Sequence, residues 1–123
     1  MSPFIIEITE DTPGVKFDST SGEFLIKGRS LPEDAYSFYQ PINDWLEEFQ
    51  SNSSLEKVNL SIHLDYFNSS SGRYLLEMFA KLQKSANVRF EITWIAEKDD
   101  ELMIEKGEEL KSLVNLPFHL KQV

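Results

Sequence analysis

The chain has 123 residues, of which 41% are hydrophobic and 27% are charged, a composition typical of one globular domain spanning residues 1–123. Its 21 Asp and Glu residues outnumber its 12 Lys and Arg residues, and the resulting net charge of -9 disfavours binding to nucleic acids or anionic lipids. Because there is no cysteine, disulfides, thiol nucleophiles and zinc–thiolate sites are excluded. The sequence shows neither a membrane-spanning apolar run nor a basic signal-peptide start, so we expect a cytoplasmic protein.

The first thirty residues predict three short strands. Residues 4–8 form the first, residues 15–18 follow the Pro13-Gly14 turn signal, and residues 23–28 form the third. The short connection through residues 18–22 predicts that the second and third strands form a hairpin.

The next segment predicts an amphipathic helix. Apolar residues recur there at three- and four-residue steps: Ala35, Phe38, Ile42, Trp45 and Phe49. Pro32 suits the first turn, followed by the acidic Glu33 and Asp34 at the positive end of the helix dipole. Pro41 lies inside the pattern and removes a backbone donor, so we expect a kink or a short break there.

Two later strands alternate between apolar and polar residues. In residues 57–67 the predicted inward side chains are Val58, Leu60, Ile62, Leu64 and Tyr66. Residues 88–95 repeat the pattern, with Val88, Phe90, Ile92 and Trp94 on one side. A fully polar second face on both strands favours a sheet that helices cover on one side only.

Helices are predicted at about residues 71–85 and after the acidic run 97–101, the latter weakened by Gly107. Residues 118–122 predict a short closing strand. The expected order is β-β-β-α-β-α-β-α with a final β, a single mixed α/β domain with its helices mainly on one face.

A hydrolase is one hypothesis for the serine run that follows the 57–67 strand. Ser69 or Ser70 would be the nucleophile and His63 the base, with Asp65 about 7 Å from His63 along the same strand face. No Gly-x-Ser-x-Gly elbow surrounds these serines, which disfavours that chemistry. The histidines His63 and His119 and the 97–101 run match no metal-binding pattern, so no metal or other cofactor is expected.

The run Asn68-Ser69-Ser70-Ser71-Gly72 also suits two other roles. Asn and Ser are favoured helix N-caps because their side-chain oxygen accepts a free backbone N–H of the first turn. The same free N–H groups and the helix dipole would tolerate a phosphoryl group on a serine. The residues alone leave the helix cap and the phosphorylation site open as alternatives.

Three stretches, residues 14–49, 64–79 and 94–110, resemble the SiaC family of bacterial regulatory phosphoproteins, as does the ending at 116–120. The resemblance implies an open-faced fold similar to the STAS domains of anti-anti-sigma factors, with no catalysis by the domain itself. It implies a partner-switching circuit in which a kinase phosphorylates the protein and a PP2C-type phosphatase reverses this. The unphosphorylated form would bind an effector such as a diguanylate cyclase, linking the protein to c-di-GMP signalling and biofilm regulation.

The family's phosphoacceptor is the Thr after Tyr-Phe-Asn, which the resemblance places at Ser69, with Ser70 as a rival. The sequence departs from the family by having Ser at that position and Gly72-Arg73 where a Ser-Lys pair is common. Residues expected near the phosphate or at the partner surface are Asn68, Ser70, Ser71, Arg73 and Tyr74. A constitutive structural interaction module without a switch is the remaining alternative.

Overall fold

A computed structural model of the chain describes all residues 1–123 and contains six strands and three helices. The elements in chain order are β1 (Phe4–Ile6), β2 (Gly14–Phe17), β3 (Glu23–Ser30), α1 (Ala35–Asn52), β4 (Lys57–Phe67), α2 (Ser69–Leu82), β5 (Arg89–Ala96), α3 (Glu101–Ser112) and β6 (Phe118–Gln122). The predicted element order is therefore confirmed, including the closing strand.

The strands form one mixed sheet in the order β1-β2-β3-β4-β5-β6. The first three strands pair antiparallel, and β2 and β3 form the predicted hairpin. The pairs from β3 to β6 are parallel, with a helix in each connection. β4 lies inside the sheet, and its carboxyl end leads directly to the start of α2.

All three helices pack on the same face of the sheet, as the alternating strands predict. Each helix contributes a contact with an inward strand residue: Phe49 with Phe24, Phe79 with Phe118, and the Met103 carbonyl with the Trp94 indole N–H. The core beneath them is a single cluster of 27 buried residues. The opposite face has no helix over it and carries the half-exposed polar side chains of β4 and β5.

The end of β4 departs from the predicted alternation. Gly28 pairs with Leu64 but Arg29 pairs with Tyr66, so Asp65 is an extra residue in β4. Such a bulge exchanges the two faces of the strand beyond it. The prediction that Tyr66 points inward is therefore wrong, because Phe67 takes the buried position and Tyr66 is 38% exposed.

The helix boundaries correct three expectations. Helix α1 begins after Asp34, so Pro32 lies before the helix rather than in its first turn. The helix continues past Pro41 without a break, since its buried side chains hold both segments against the sheet. Helix α2 begins at Ser69 and ends at Leu82, earlier than the predicted 71–85 at both ends. None of the three helices is long and apolar enough to cross a membrane.

Gly107 has a packing role that the sequence did not indicate. A Cβ at this position would lie 2.6 Å from Trp94 Nε1 and 3.0 Å from Leu120 Cδ2. The Trp94 N–H donates to the Met103 carbonyl at 3.0 Å, which fixes the indole ring against α3. Glycine therefore allows α3 to approach the sheet closely, and its low helix propensity is offset by this contact.

Candidate functional site

The start of α2 is held by Asn68. Its Oδ1 accepts the Ser71 backbone N–H at 2.9 Å, and its own backbone N–H donates to the Ser30 carbonyl at 3.2 Å. Of the candidate caps in this run, Asn68 is therefore the helix cap, and Ser69 is not. Because Asn68 meets the capping requirement, the Ser69 side chain is not needed for it.

The three consecutive serines lie in different environments. Ser69 and Ser70 occupy the first two positions of α2 and are exposed. Ser71, one residue further, is completely buried. The Ser71 hydroxyl therefore cannot contact a partner or accept a phosphate in the folded protein, which corrects its inclusion among the surface residues.

Ser71 belongs to a buried chain of hydroxyl groups. The Tyr39 hydroxyl lies 2.6 Å from Ser30 Oγ, which donates to Ser71 Oγ at 2.8 Å. The Ser71 hydroxyl in turn donates to the Ser30 carbonyl at 3.0 Å. Burial raises the pKa of Tyr39, although the hydrogen bonds with Ser30 and Ser71 oppose this. The chain joins α1, the end of β3 and the first turn of α2, with no buried polar side-chain atom left unpaired.

A groove between α2 and α3 runs beside Ser69. It has a volume of about 420 Å³, and its apolar lining includes Leu76 and Leu113. Ser69 and Arg73 line it from α2, and Lys106 lines it from α3. Ser70 does not line this groove, so the two exposed serines face different surroundings.

Lys106 reaches across from α3 to the end of β4. Its ammonium donates to the Phe67 carbonyl at 3.1 Å. The same nitrogen lies 4.6 Å from the Tyr66 ring centroid and 4.3 Å from the Phe67 centroid, within the range of cation–π attraction. Tyr66 and Phe67 therefore position a cation at the groove.

The other predicted partner residues lie on two sides of α2. Arg73 is exposed and lines the groove. Tyr74 is half-buried and stacks in parallel on Tyr39, with centroids 5.8 Å apart. Tyr74 therefore extends the α1–α2 contact and does not line the groove.

The residues proposed for hydrolysis are not assembled. His63 lies on the open sheet face, where its Nε2 is 3.5 Å from Glu97 Oε1, and it makes no hydrogen bond with a serine. The serines follow the strand at the helix-covered side of its carboxyl end. No group of three or more His, Asp or Glu residues is placed to hold a metal ion, and the 97–101 run leads into α3 through its cap, Asp100.

Sequence reasoning did not identify Ser30, Tyr39 or Lys106 as neighbours of the serine run. Ser30 and Tyr39 lie 41 and 32 positions before Ser71, and Lys106 lies 37 positions after Ser69. No local pattern signals these contacts, because they arise from the parallel pairing of β3 with β4 and from the packing of α1 and α3.

Comparisons with known proteins agree with the fold and the element order. A family model described as SiaC family regulatory phosphoprotein matches residues 6–123. An uncharacterised protein of Pseudomonas aeruginosa strain UCBPP-PA14 is 25% identical over 123 residues, covering 98% of this chain and 97% of the relative.

Solved structures of SiaC from Pseudomonas aeruginosa have the same fold. One SiaC structure superposes with a TM-score of 0.89 at 24% identity and covers 100% of both chains, and apo-SiaC gives 0.85, covering 98% of this chain and 99% of that one. A structure of the diguanylate cyclase SiaD in complex with its activator SiaC also matches, with a TM-score of 0.89, 24% identity and coverage of 98% and 99%. Since the family model spans nearly the whole chain, this protein belongs to the SiaC family of regulatory phosphoproteins.

Proposed function

We propose that this chain is a non-enzymatic phosphoswitch adaptor that a kinase phosphorylates on Ser69 in the cytoplasm. A PP2C-type phosphatase would remove the phosphate, and the unphosphorylated form would bind and regulate an effector. The observation that carries this proposal is the environment of Ser69, an exposed hydroxyl at the first position of α2 beside the α2–α3 groove.

A diguanylate cyclase is the effector class that we propose. The SiaC of Pseudomonas aeruginosa forms a complex with the diguanylate cyclase SiaD as its activator. The present chain shares its family and its fold. On this proposal, the protein acts in c-di-GMP signalling and contributes no catalytic residue of its own.

The choice of Ser69 rests on physical grounds as well as on the family pattern. Ser71 is buried and bound within the hydroxyl chain, so it is not accessible to a kinase. Ser70 is exposed but lies outside the groove. A phosphate on Ser69 would add about -1.5 to -2 charges at the groove, enough to change the binding of a partner there without disturbing the buried core.

The test uses Ser69→Ala, Ser69→Asp and the matched control Ser70→Asp. We expect Ser69→Asp to fold normally and to weaken binding to the cognate diguanylate cyclase at least about tenfold, whereas Ser69→Ala and Ser70→Asp bind like the wild type. Titration calorimetry measures the affinities, and fragmentation mass spectrometry after treatment with the kinase locates the phosphate.

Two results would count against this function. If phosphate were found only on Ser70, the assignment of the modified residue to Ser69 would be wrong. Equal affinity of the alanine, aspartate and phosphorylated forms for the cyclase would instead support a constitutive interaction module.

A further inference from the structure

We propose that Lys106 binds the phosphate of phosphorylated Ser69 and thereby joins α2 to α3, an inference that rests on the proposed modification of Ser69. Lys106 lies on α3, whereas Ser69 begins α2, and both line the same groove. The phosphate would then be an intramolecular ligand as well as an added charge.

Lys106 is a cation without an anionic partner. The chain has one ion pair between a lysine and a carboxylate, Lys57 with Glu91, and one contact between a histidine and a carboxylate, His63 with Glu97; Lys106 takes part in neither. Its ammonium makes one hydrogen bond, to the neutral Phe67 carbonyl. Since an ammonium has three N–H donors, two remain for phosphate oxygens.

The position of Lys106 is fixed before any phosphate arrives. The side chain is half-buried, and its ammonium is held by the Phe67 carbonyl and by the faces of two aromatic rings. A long side chain that is already ordered loses little further rotamer freedom on binding. This distinguishes Lys106 from an exposed lysine, whose ordering would offset most of the attraction.

Ser69 follows closely in the chain after the backbone group that this ammonium contacts. The carbonyl that Lys106 contacts belongs to Phe67, two residues before Ser69. Arg73 lines the groove from the same helix as Ser69 and adds a second positive charge, which the carboxylate of Glu109 in the groove partly opposes. Charge-assisted hydrogen bonds from these cations to a phosphate are shorter and stronger than neutral ones.

The proposed contact between Lys106 and the phosphate, here called the clamp, is selective for Ser69 among the three serines. Ser70 does not line the groove, and Ser71 lies on the buried face of α2. A phosphate on Ser70 would therefore not meet Lys106 without rearrangement of the helix start. Phosphoserine at position 70 in the same protein is a matched control that carries the same charge one residue away.

The experiment installs phosphoserine at position 69 or 70 during translation, so that no kinase is needed, and follows its second ionisation by ³¹P NMR. We expect the phosphoserine pKa at position 69 to lie about one unit below that at position 70, because an opposite charge within about 4–6 Å favours the dianion. Lys106→Met should remove most of this difference while keeping the apolar stem of the side chain. Lys106→Arg should retain it.

The control variant is Lys111→Met, which removes an exposed cation of the same helix that does not line the groove. It should leave the phosphoserine 69 pKa unchanged, and amide NMR spectra verify that each variant is folded. If phosphoserines 69 and 70 titrate alike, or if Lys106→Met and Lys111→Met shift the pKa at position 69 equally, the clamp does not exist.

These outcomes are independent of the test of the proposed function. A kinase that modifies another residue, or a cyclase that ignores the phosphate, would overturn the switch while the ³¹P titration still reports the clamp. Conversely, an unperturbed phosphoserine 69 that nonetheless blocks cyclase binding would retain the switch and exclude Lys106 as the phosphate ligand.

Discussion

The starts of α1 and α2 are built on the same four-residue pattern but serve different purposes. Each has an Asx residue as its cap and a serine three positions later, Asp34 with Ser37 and Asn68 with Ser71. In each case the side-chain Oδ1 accepts the serine backbone N–H, at 3.2 Å in α1 and 2.9 Å in α2. The backbone requirement of both helix starts is met in the same way.

The two serine hydroxyls point to opposite environments. In α1 the exposed Ser37 Oγ returns to the Asp34 carboxylate at 2.7 Å. In α2 the Ser71 Oγ is buried and bonds to Ser30. The α1 start is therefore a self-contained surface turn with a negative charge. The α2 start has a neutral cap, Asn68, and is anchored to the core through Ser71, whereas Ser69 and Ser70 are exposed.

The largest expected difference between the two helix starts is in the free energy of unfolding when Ser71 or Ser37 loses its hydroxyl. Ser71→Ala removes the acceptor of the Ser30 hydroxyl and one donor to the Ser30 carbonyl, so we expect the free energy of unfolding to fall by about 1–3 kcal/mol. Ser37→Ala breaks only an exposed bond and should change it by no more than about 0.5 kcal/mol. Urea denaturation of the two variants measures both values.

Tyr39→Phe serves as a further variant in this series, since it removes the hydroxyl at the other end of the chain but keeps the ring that stacks on Tyr74 of α2. A double variant with Ser71→Ala should be less destabilised than the sum of the two, because both changes break one network. If Ser71→Ala were as mild as Ser37→Ala, the hydroxyl chain would not anchor α2, and the contrast between the helix starts would have no energetic basis.

Features that depend on residues close in the chain are predicted from the sequence better than contacts between residues far apart in the chain. Alternation along β4 and β5 and the stripe on α1 predict the element order and the one-sided sheet, because each depends on residues close in the chain. The exposure of Tyr66 was missed because a bulge at Asp65 carries no clear sequence signal. The serine run was located, but which serine is buried depends on Ser30, a contact made through strand pairing.

The second prediction concerns Asn68, the cap of α2. Asn68→Ala removes the acceptor for the Ser71 N–H and should lower the free energy of unfolding by about 1 kcal/mol. Asn68→Asp keeps the acceptor and adds a negative charge at the positive end of the helix, so stability should remain or rise by about 0.3–1 kcal/mol. Urea denaturation measures both changes.

Asn68→Asp also gives α2 an acidic cap like that of α1. It therefore tests whether the neutral cap of α2 favours a phosphate at position 69. The added carboxylate should raise the pKa of phosphoserine 69, since like charges disfavour the dianion. An unchanged phosphoserine pKa in this variant would mean that the neutral cap has no bearing on a phosphate at position 69.

The smallest expected effect is the different response of the two starts to acid. The Ser37 hydroxyl, followed by the Ser37 backbone N–H, lowers the pKa of Asp34 below its ordinary 3.8. A carboxyl with a lowered folded-state pKa stabilises the fold fully above 3.8 and loses that contribution as the pH falls through the lower folded value. Asn68 does not ionise, so the cap of α2 has no such transition.

Amide NMR distinguishes the titration of Asp34 from that of the other carboxyls. One of these is Asp18, whose pKa is also lowered, mainly by the Thr20 backbone N–H. The Ser37 amide shift should follow a titration with a midpoint below 3.8, while the Ser71 amide shift stays flat as long as the protein is folded. Asp34→Asn should abolish the Ser37 transition and make the α1 start respond as α2 does. A Ser71 shift that titrates in parallel with Ser37 would show that acid perturbs both helix starts through the core, and the two would not be independent.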